Sequence, residues 1–447
     1  MPFLPMTESN RQEMLTAIGI SEFEELIACI PDEVRLSKDL NLPEALSEYD
    51  VTRLLQSLAA KNEHAGDFAC FLGGGAYDHF IPAAVGHLTS RSEFYTAYTP
   101  YQPEVAQGNL QAIYEYQTMI CRLTGMDAAN ASMYDGASAL AESALLIQGQ
   151  TRRETVLISK SVHPYYRKVV ETYCNRAGID LIEIPFHDGV TDLDVLKEKC
   201  LDTTAGLLVQ SPNFFGMLEP VDEMVEVVHA TGGLVSVSTD PISLGILKPP
   251  GESGADVVTG EGQVLGIPLN FGGPYLGVFA VKQPLIRRMP GRLVGVTQDT
   301  DGKRGFVLTL QTREQHIRRE KATSSICTNQ QLCALSATIY MALMGKQGLP
   351  RVAELCLQKA HYLAEKLQSL SGVELLFKGS FFKEFALRLP IPAQKVIDRM
   401  RSENIFAGID LGRFDYDIQN SLLIAVTEKR KREEMDHYVS ILRDMLS

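Results

Sequence analysis

The chain has 447 residues, 45% of them apolar and 22% charged, with a formal net charge of −13. That length outgrows one simple core and suits one large plus one smaller domain, while the acidic balance argues against general nucleic-acid binding. No apolar run nears the roughly 20 residues of a bilayer span, so no membrane partner is expected. The start of the chain lacks the basic and apolar regions of a secretory signal, and the eight cysteines form no C-x-x-C pair. A cytoplasmic chain with reduced thiols is therefore expected, without a disulfide framework or a metal site.

The first 65 residues read as a helical arm. Thr7 to Ser9 precede a helical run at 11–15, and Ser21 stands as a cap for 21–26. Ser47 to Asp50 lead into a helix over 51–61 that places Leu54, Leu55 and Leu58 on one face. A triple glycine, Gly73-Gly74-Gly75, follows; it permits close backbone approach but lacks the Lys-Ser/Thr ending of a phosphate-binding P-loop. His79, just beyond it, reads as a structural histidine. A loop holding Tyr95, Tyr98 and Tyr101 runs between Pro turns into a helix over 107–122. Phenols need polar partners, so this loop suits either the lining of a site or interface, or a packed surface loop.

Residues 66–345 alternate between apolar runs and helical segments. Strands are predicted at 155–159, 180–184, 205–210, 234–238, 256–259 and 275–281, with helices at 164–176, 192–201, 221–229 and 329–344. This alternation predicts an α/β domain around a mostly parallel sheet covered on both faces. Residues 346–447 read as a small C-terminal α+β domain with strands at 374–377, 384–388 and 421–426.

Several groupings are placed to do chemistry. Asp135-Gly136-Ala137-Ser138 opens an apolar helix, which fits either an anion turn or a plain cap by Asp135 or Ser138. His163 and Asn213 sit at strand ends, where ligands collect in open parallel sheets, and His163 is the candidate to stack on a ring. Arg313, Arg318, Arg319 and Lys321 flank the hydroxyls of Thr323 and Ser324, a segment fit for an anion, a partner or plain solvation. The run from Gly233 ends at Asp240, and 23 residues later stands Gln263. This layout resembles pyridoxal-phosphate enzymes of the aspartate-aminotransferase fold (fold type I), in which such an Asp pairs with the pyridine nitrogen and a downstream Lys holds the cofactor. An amide nitrogen is not nucleophilic, so Gln263 cannot serve as that Lys.

Longer motifs carry a more specific resemblance. The stretches 98–104, 317–324, 326–330 and 262–274 are similar to the glycine cleavage system P-protein family, over essentially the whole chain and at the length of its N-terminal-half subunit. One departure is Ser325, where the family usually has Asn. The resemblance implies a fold type I chain that binds no cofactor itself and pairs with a subunit 2 carrying pyridoxal phosphate, in an α2β2 heterotetramer. Together they decarboxylate glycine and pass the aminomethyl group to the lipoyl arm of H-protein. Setting Ile267-Pro268 against the Ile-Pro that follows the subunit 2 lysine puts Gln263 at the lysine position. Asp240 then matches the ring-nitrogen Asp, and Asp135 opens the phosphate turn. With His163 these form a degenerate pocket. Enzymes of this fold build sites from both chains, so Tyr95, Tyr98 and Tyr101 are expected to line the partner's substrate end. Thr323 and Ser324 are expected near its phosphate or the H-protein channel, and the basic segment is expected to attract H-protein. Two readings compete: a complete enzyme using Lys248 or Lys282, whose spacings from Asp240 do not fit, and a purely structural or regulatory pseudoenzyme.

Overall fold

The computed structural model describes residues 6–36, 38, 40–97 and 99–447. It forms two compact units, one ending at Glu63 and one from His64 to Ser447. Tyr98 lies outside the described residues.

In the first unit, Thr7 caps the helix Glu8–Ile18, and Gly19 ends it at φ 86°. A second helix, Glu48–Ala59, starts one turn earlier than expected because the Ser47 hydroxyl itself accepts from Asp50 N. Ser21 does not cap: the short helix Phe23–Leu26 has Glu22 at its N-cap. Leu15 alone among the unit's described residues is buried, and Leu54, Leu55 and Leu58 stay exposed.

The second unit is built on a seven-stranded sheet. Its strands are β1 (Ala128–Ala129), β2 (Thr155–Ser159), β3 (Asp180–Ile184), β4 (Thr204–Gln210), β5 (Leu234–Thr239), β6 (Val257–Glu261) and β7 (Gly277–Val281). The spatial order is β1-β7-β6-β5-β4-β2-β3. Strands β2 to β6 run parallel, and β7 is antiparallel to both β6 and β1. The inner strands are buried on both faces, while the edge strand β3 is half-exposed, and side chains alternate between the two cores. Val156, Ile158 and Leu208 join one core with helix α1 (Gly136–Thr151). Leu157, Leu207, Val209, Val235 and Val237 join the other, with helix α2 (Val221–Ala230). Each such side chain contributes about 1.5–3 kcal/mol of burial.

A hairpin absent from the sequence expectation, β8 (Leu293–Gln298) with β9 (Arg304–Thr309), turns around Gly302. The long helix Gln331–Gln368 breaks at Gly345, whose φ of 58° and ψ of −168° are not helical. Beyond it, Glu374–Leu375, Glu384–Arg388, Ser421–Ala425 and Ile409–Asp410 make a four-stranded antiparallel sheet. Its core also takes in Phe71, Phe214 and Phe215, and Ala69–Cys70 pairs with Ile405–Phe406. The segment 69–77 is thereby anchored to the C-terminal lobe and drawn across the strand ends of the large sheet.

Candidate active site: a pocket filled by its own side chains

The C-terminal ends of β4, β5 and β6 face the C-terminal lobe across a cleft. Gln210, Pro212, Asp240, Glu261, Tyr77, Tyr166, Lys383 and Glu384 are among its lining, and the free volume is about 30 Å³. That holds a water rather than an aromatic ring.

Each group expected to meet a ligand meets a protein atom instead. Asp240, at the end of β5, lies 2.6 Å from Lys383 Nζ, and the lysine is buried. Lys383 also sits 3.5 Å from the Tyr77 ring centroid and 2.9 Å from His79 Nε2. An ammonium donating to Nε2 makes that nitrogen the acceptor, so Nδ1–H points at Glu428 Oε2, 2.6 Å away. Burial, then the Lys383 charge, hold the His79 pKa below its ordinary value. Burial opposes ionisation of Glu428, but His79 and the Phe80 N–H bring its pKa below the usual range. His79, Cys356 and Glu428 are close enough to share a metal ion. The Lys383 contact leaves His79 no free lone pair on the Nδ1 side, so the trio works as a hydrogen-bond chain.

Gln263 is 2% exposed. Its Nε2 donates to Ile267 O at 2.7 Å and Tyr77 O at 3.1 Å, and its Oε1 accepts from Tyr77 N at 2.9 Å. The amide thus stitches the segment after β6 to the chain after the triple glycine.

At the N-terminus of α1, Asp135 is the N-cap: its Oδ1 accepts from Ser138 N at 2.7 Å. The neighbouring Gly136 N–H, which an anion would have used, donates to Glu261 Oε2 at 2.9 Å. Glu261 Oε1 accepts from Gln263 N and Leu276 N, each at 3.0 Å. Burial pushes the Glu261 pKa up to about 8 against these three donors. A Cβ on Gly136 would lie 2.6 Å from Tyr166 Oη, so a larger residue there would require that side chain to shift.

His163 is buried, with its pKa lowered to about 4 by desolvation. Its Nδ1 accepts from Tyr165 N, and its ring packs on Tyr166 and Phe214 with centroids 4.9 Å away. The glycine loop crosses it: a Cβ on Gly75 would be 3.7 Å from the imidazole. Glu384 holds that loop, accepting from Gly74 N at 2.7 Å and from Tyr77 Oη at 2.5 Å. A Cβ at Gly73 would run into the same carboxylate. Asn213 turns away, donating to Gly189 O and Glu219 Oε1.

The other expected residues lie elsewhere. Tyr95 and Tyr101 are 66% and 65% exposed. Thr323 is exposed, Ser324 is half-buried, and Ser324 Oγ accepts from Ile326 N. Arg318 and Arg319 are exposed, whereas Arg313 is half-buried and donates to Leu310 O and Gly291 O. Lys248 pairs with Asp222 and Lys282 donates to Gly125 O and Gly251 O, so neither enters the cleft.

The sheet order, with an Asp closing β5 and a helix N-terminus beside β6, defines a chain of the pyridoxal-phosphate fold type I class. Lactobacillus brevis glutamate decarboxylase shares that fold at a TM-score of 0.70 over 94% of this chain and 96% of its own, with 14% identity. More specifically, the chain belongs to the glycine cleavage system P-protein family, whose model matches residues 1–442. A "Probable glycine dehydrogenase (decarboxylating) subunit 1" of Carboxydothermus hydrogenoformans is 55% identical over 442 residues, covering 99% of both chains. A crystal structure of glycine decarboxylase (P-protein) of the glycine cleavage system, in inhibitor-bound form, superposes at a TM-score of 0.92 with 44% identity over the full length of both chains.

The residues present do not fit pyridoxal phosphate. Position 263 has no amine, the N–H of Gly136 is taken by Glu261, Asp240 is paired with Lys383, and the glycine loop lies on His163. Sequence reasoning had the first of these and missed Glu261 and Lys383. The signal for Lys383 was present: a charged pair, Lys383-Glu384, inside the apolar run Phe381 to Leu387.

Proposed function

We propose that this chain is the subunit of glycine decarboxylase that carries no cofactor, and that it acts by completing the site of a partner, subunit 2. Pyridoxal phosphate bound in subunit 2 would supply the electron sink for loss of carbon dioxide from glycine. The aminomethyl group would then pass to the lipoyl arm of H-protein. In this reading the present chain contributes surface: Tyr95 and Tyr101 toward the substrate end, and Thr323 and Ser324 toward the phosphate or the H-protein channel. The assembly implied is an α2β2 heterotetramer in the cytoplasm. The observation that carries the reading is the filled pocket. A cleft closed by Glu261, Gln263 and Lys383 has no use for a cofactor, while Tyr95, Tyr101 and Thr323 stay exposed.

The test is an absorbance spectrum of the purified chain with pyridoxal phosphate, before and after borohydride reduction, followed by reconstitution with subunit 2. No band near the cofactor's protein-bound absorbance, no reduced lysine adduct, and glycine decarboxylation only in the reconstituted complex are expected. A reduced adduct at one defined lysine of this chain would overturn the reading.

A further inference from the structure

Arg292 lies between the turn at Gly291 and strand β8, and it is 5% exposed. None of its partners is a carboxylate among the described residues. Its Nη1 donates to Thr328 Oγ1 at 3.1 Å, Asn329 Oδ1 at 3.4 Å and Thr99 Oγ1 at 3.5 Å. Its Nη2 donates to Cys327 O at 3.0 Å, and its Cζ lies 5.5 Å from the Tyr101 ring centroid. The backbone of Arg292 is itself held, since Ala131 N donates to its carbonyl at 2.8 Å. Asn329 Nδ2 returns to Ala131 O at 2.9 Å, and Gln330 N donates to Ser132 Oγ at 3.1 Å. One guanidinium therefore joins two segments far apart in sequence, the tyrosine loop and residues 327–329, to the rigid edge of the sheet.

We propose that Arg292 is a positioning residue for the site of subunit 2. It fixes Thr99 and Tyr101 against residues 327–329, so that the tyrosine loop presents one preset surface. This rests on the reading above that the tyrosine loop lines the partner's site. The fork geometry is what the position requires: a planar guanidinium reaches oxygens in several directions and stacks on a ring, whereas a lysine offers three donors from a single atom. A buried cation is costly without a partner. Hydroxyl, amide and carbonyl oxygens together with a π-face meet that cost here, and no carboxylate is needed that would draw the guanidinium away from the loops.

The experiment uses the full chain reconstituted with cofactor-loaded subunit 2 and H-protein. Arg292→Lys, Thr99→Val, Thr328→Val and Tyr101→Ala are compared for complex formation by size exclusion, for kcat and KM with glycine, and for the absorbance band of the partner's cofactor. With assembly intact, Arg292→Lys should lower kcat on the order of tenfold or more, because a loosely held group loses orientation. Thr328→Val should lower it less and add little on top of Arg292→Lys, and the cofactor band should shift when the variant replaces the native chain. Native kcat, KM and spectrum in Arg292→Lys, with Tyr101→Ala impaired, would overturn the positioning role and leave the shared site standing. Native kinetics in every variant, Tyr101→Ala included, would instead sink the shared-site reading. Should Arg292→Lys fail to assemble, the two valine variants decide: lowered kcat in an intact complex supports the role, and native kcat in both overturns it.

Discussion

Lys383 Nζ lies 2.6 Å from Asp240 Oδ2, with both side chains withdrawn from solvent at 2% and 11% exposure. In a fold whose strand-end Asp otherwise faces a ring nitrogen, the ammonium supplies the positive charge internally. The pair holds the C-terminal lobe, which carries Lys383, against the end of β5. Lys383→Met should therefore destabilise the chain by about 3–5 kcal/mol, because it strands a buried carboxylate. Lys383→Met with Asp240→Asn should recover much of that loss. Urea unfolding of the two variants checks both, and a Lys383→Met chain as stable as the native one would contradict the pairing.

The second expectation concerns pH. The pKa of Glu261 is raised to about 8, and those of Glu384 and Glu142 to about 7, in each case chiefly by burial. An unfolded glutamate titrates near ~4.3. Between that value and the folded one, the native state binds more protons than the unfolded state, so stability falls as pH rises. The urea midpoint of the isolated chain should drop from about pH 5 to about pH 8. Glu261→Gln should flatten part of that drop. It should also lower the whole curve, since one amide oxygen cannot satisfy three N–H donors. A pH slope identical to that of the native chain would remove Glu261 as its source.

Much of the fold was legible because long apolar runs alternate with helical segments. The strands at 155–159 and 180–184 coincide with β2 and β3, and the break after residue 344 coincides with Gly345. The hairpin of β8 and β9 was not legible, because Gly295 and Gly305 dilute its alternation and much of it is only half-buried. Among site residues, Gln263 stood out by chemistry alone: an amide where a lysine was expected. Its hydrogen bonds with Tyr77 span 186 positions and could not be read locally. Lys383 and Asp240 stand beside strands of different sheets, and Arg292 hydrogen-bonds to segments 193 and 36 positions away. Such partners belong to tertiary structure, whereas the cap at Asp135 is a local pattern that the sequence could offer as one of two choices.

The exposed tyrosines give a third expectation. Tyr95 ends a four-residue helix and Tyr101 follows Pro100, and neither phenol contributes to the buried core. If these hydroxyls meet substrate in the partner's site, Tyr95→Phe or Tyr101→Phe should lower kcat of the reconstituted complex by roughly threefold to tenfold, equivalent to one lost hydrogen bond of about 0.5–1.5 kcal/mol. The melting temperature of the isolated chain should stay unchanged. Unaltered kinetics in both variants would return the loop to a surface element.

The exposed basic segment gives a fourth. Arg318, Arg319 and Lys321 stand on the surface, with Arg318 Nε donating to Thr312 O. If H-protein docks there, raising salt should weaken its apparent affinity for the complex, since exposed charge pairs are screened within about 10 Å at 0.1 M. Arg318→Gln with Lys321→Gln should reduce that salt dependence while leaving kcat at saturating H-protein unchanged. A salt slope untouched by the double variant would move the docking surface elsewhere.

The last expectation is that restoring the lysine alone does not restore a cofactor site. Gln263→Lys keeps a donor for Tyr77 O and Ile267 O but removes the acceptor of the Tyr77 N–H, and should cost about 1–3 kcal/mol. The other obstacles remain: Glu261 still caps the N–H of Gly136, and Lys383 still neutralises Asp240. Borohydride reduction of Gln263→Lys with pyridoxal phosphate should yield no stoichiometric adduct at position 263. Adding Glu261→Ala frees the N–H groups of Gly136 and Leu276 for a phosphate, and a measurable adduct should appear first in that double variant. Peptide mass spectrometry of the reduced protein distinguishes the two. Full labelling of the single variant would show that the pocket opens far more readily than its hydrogen bonds indicate.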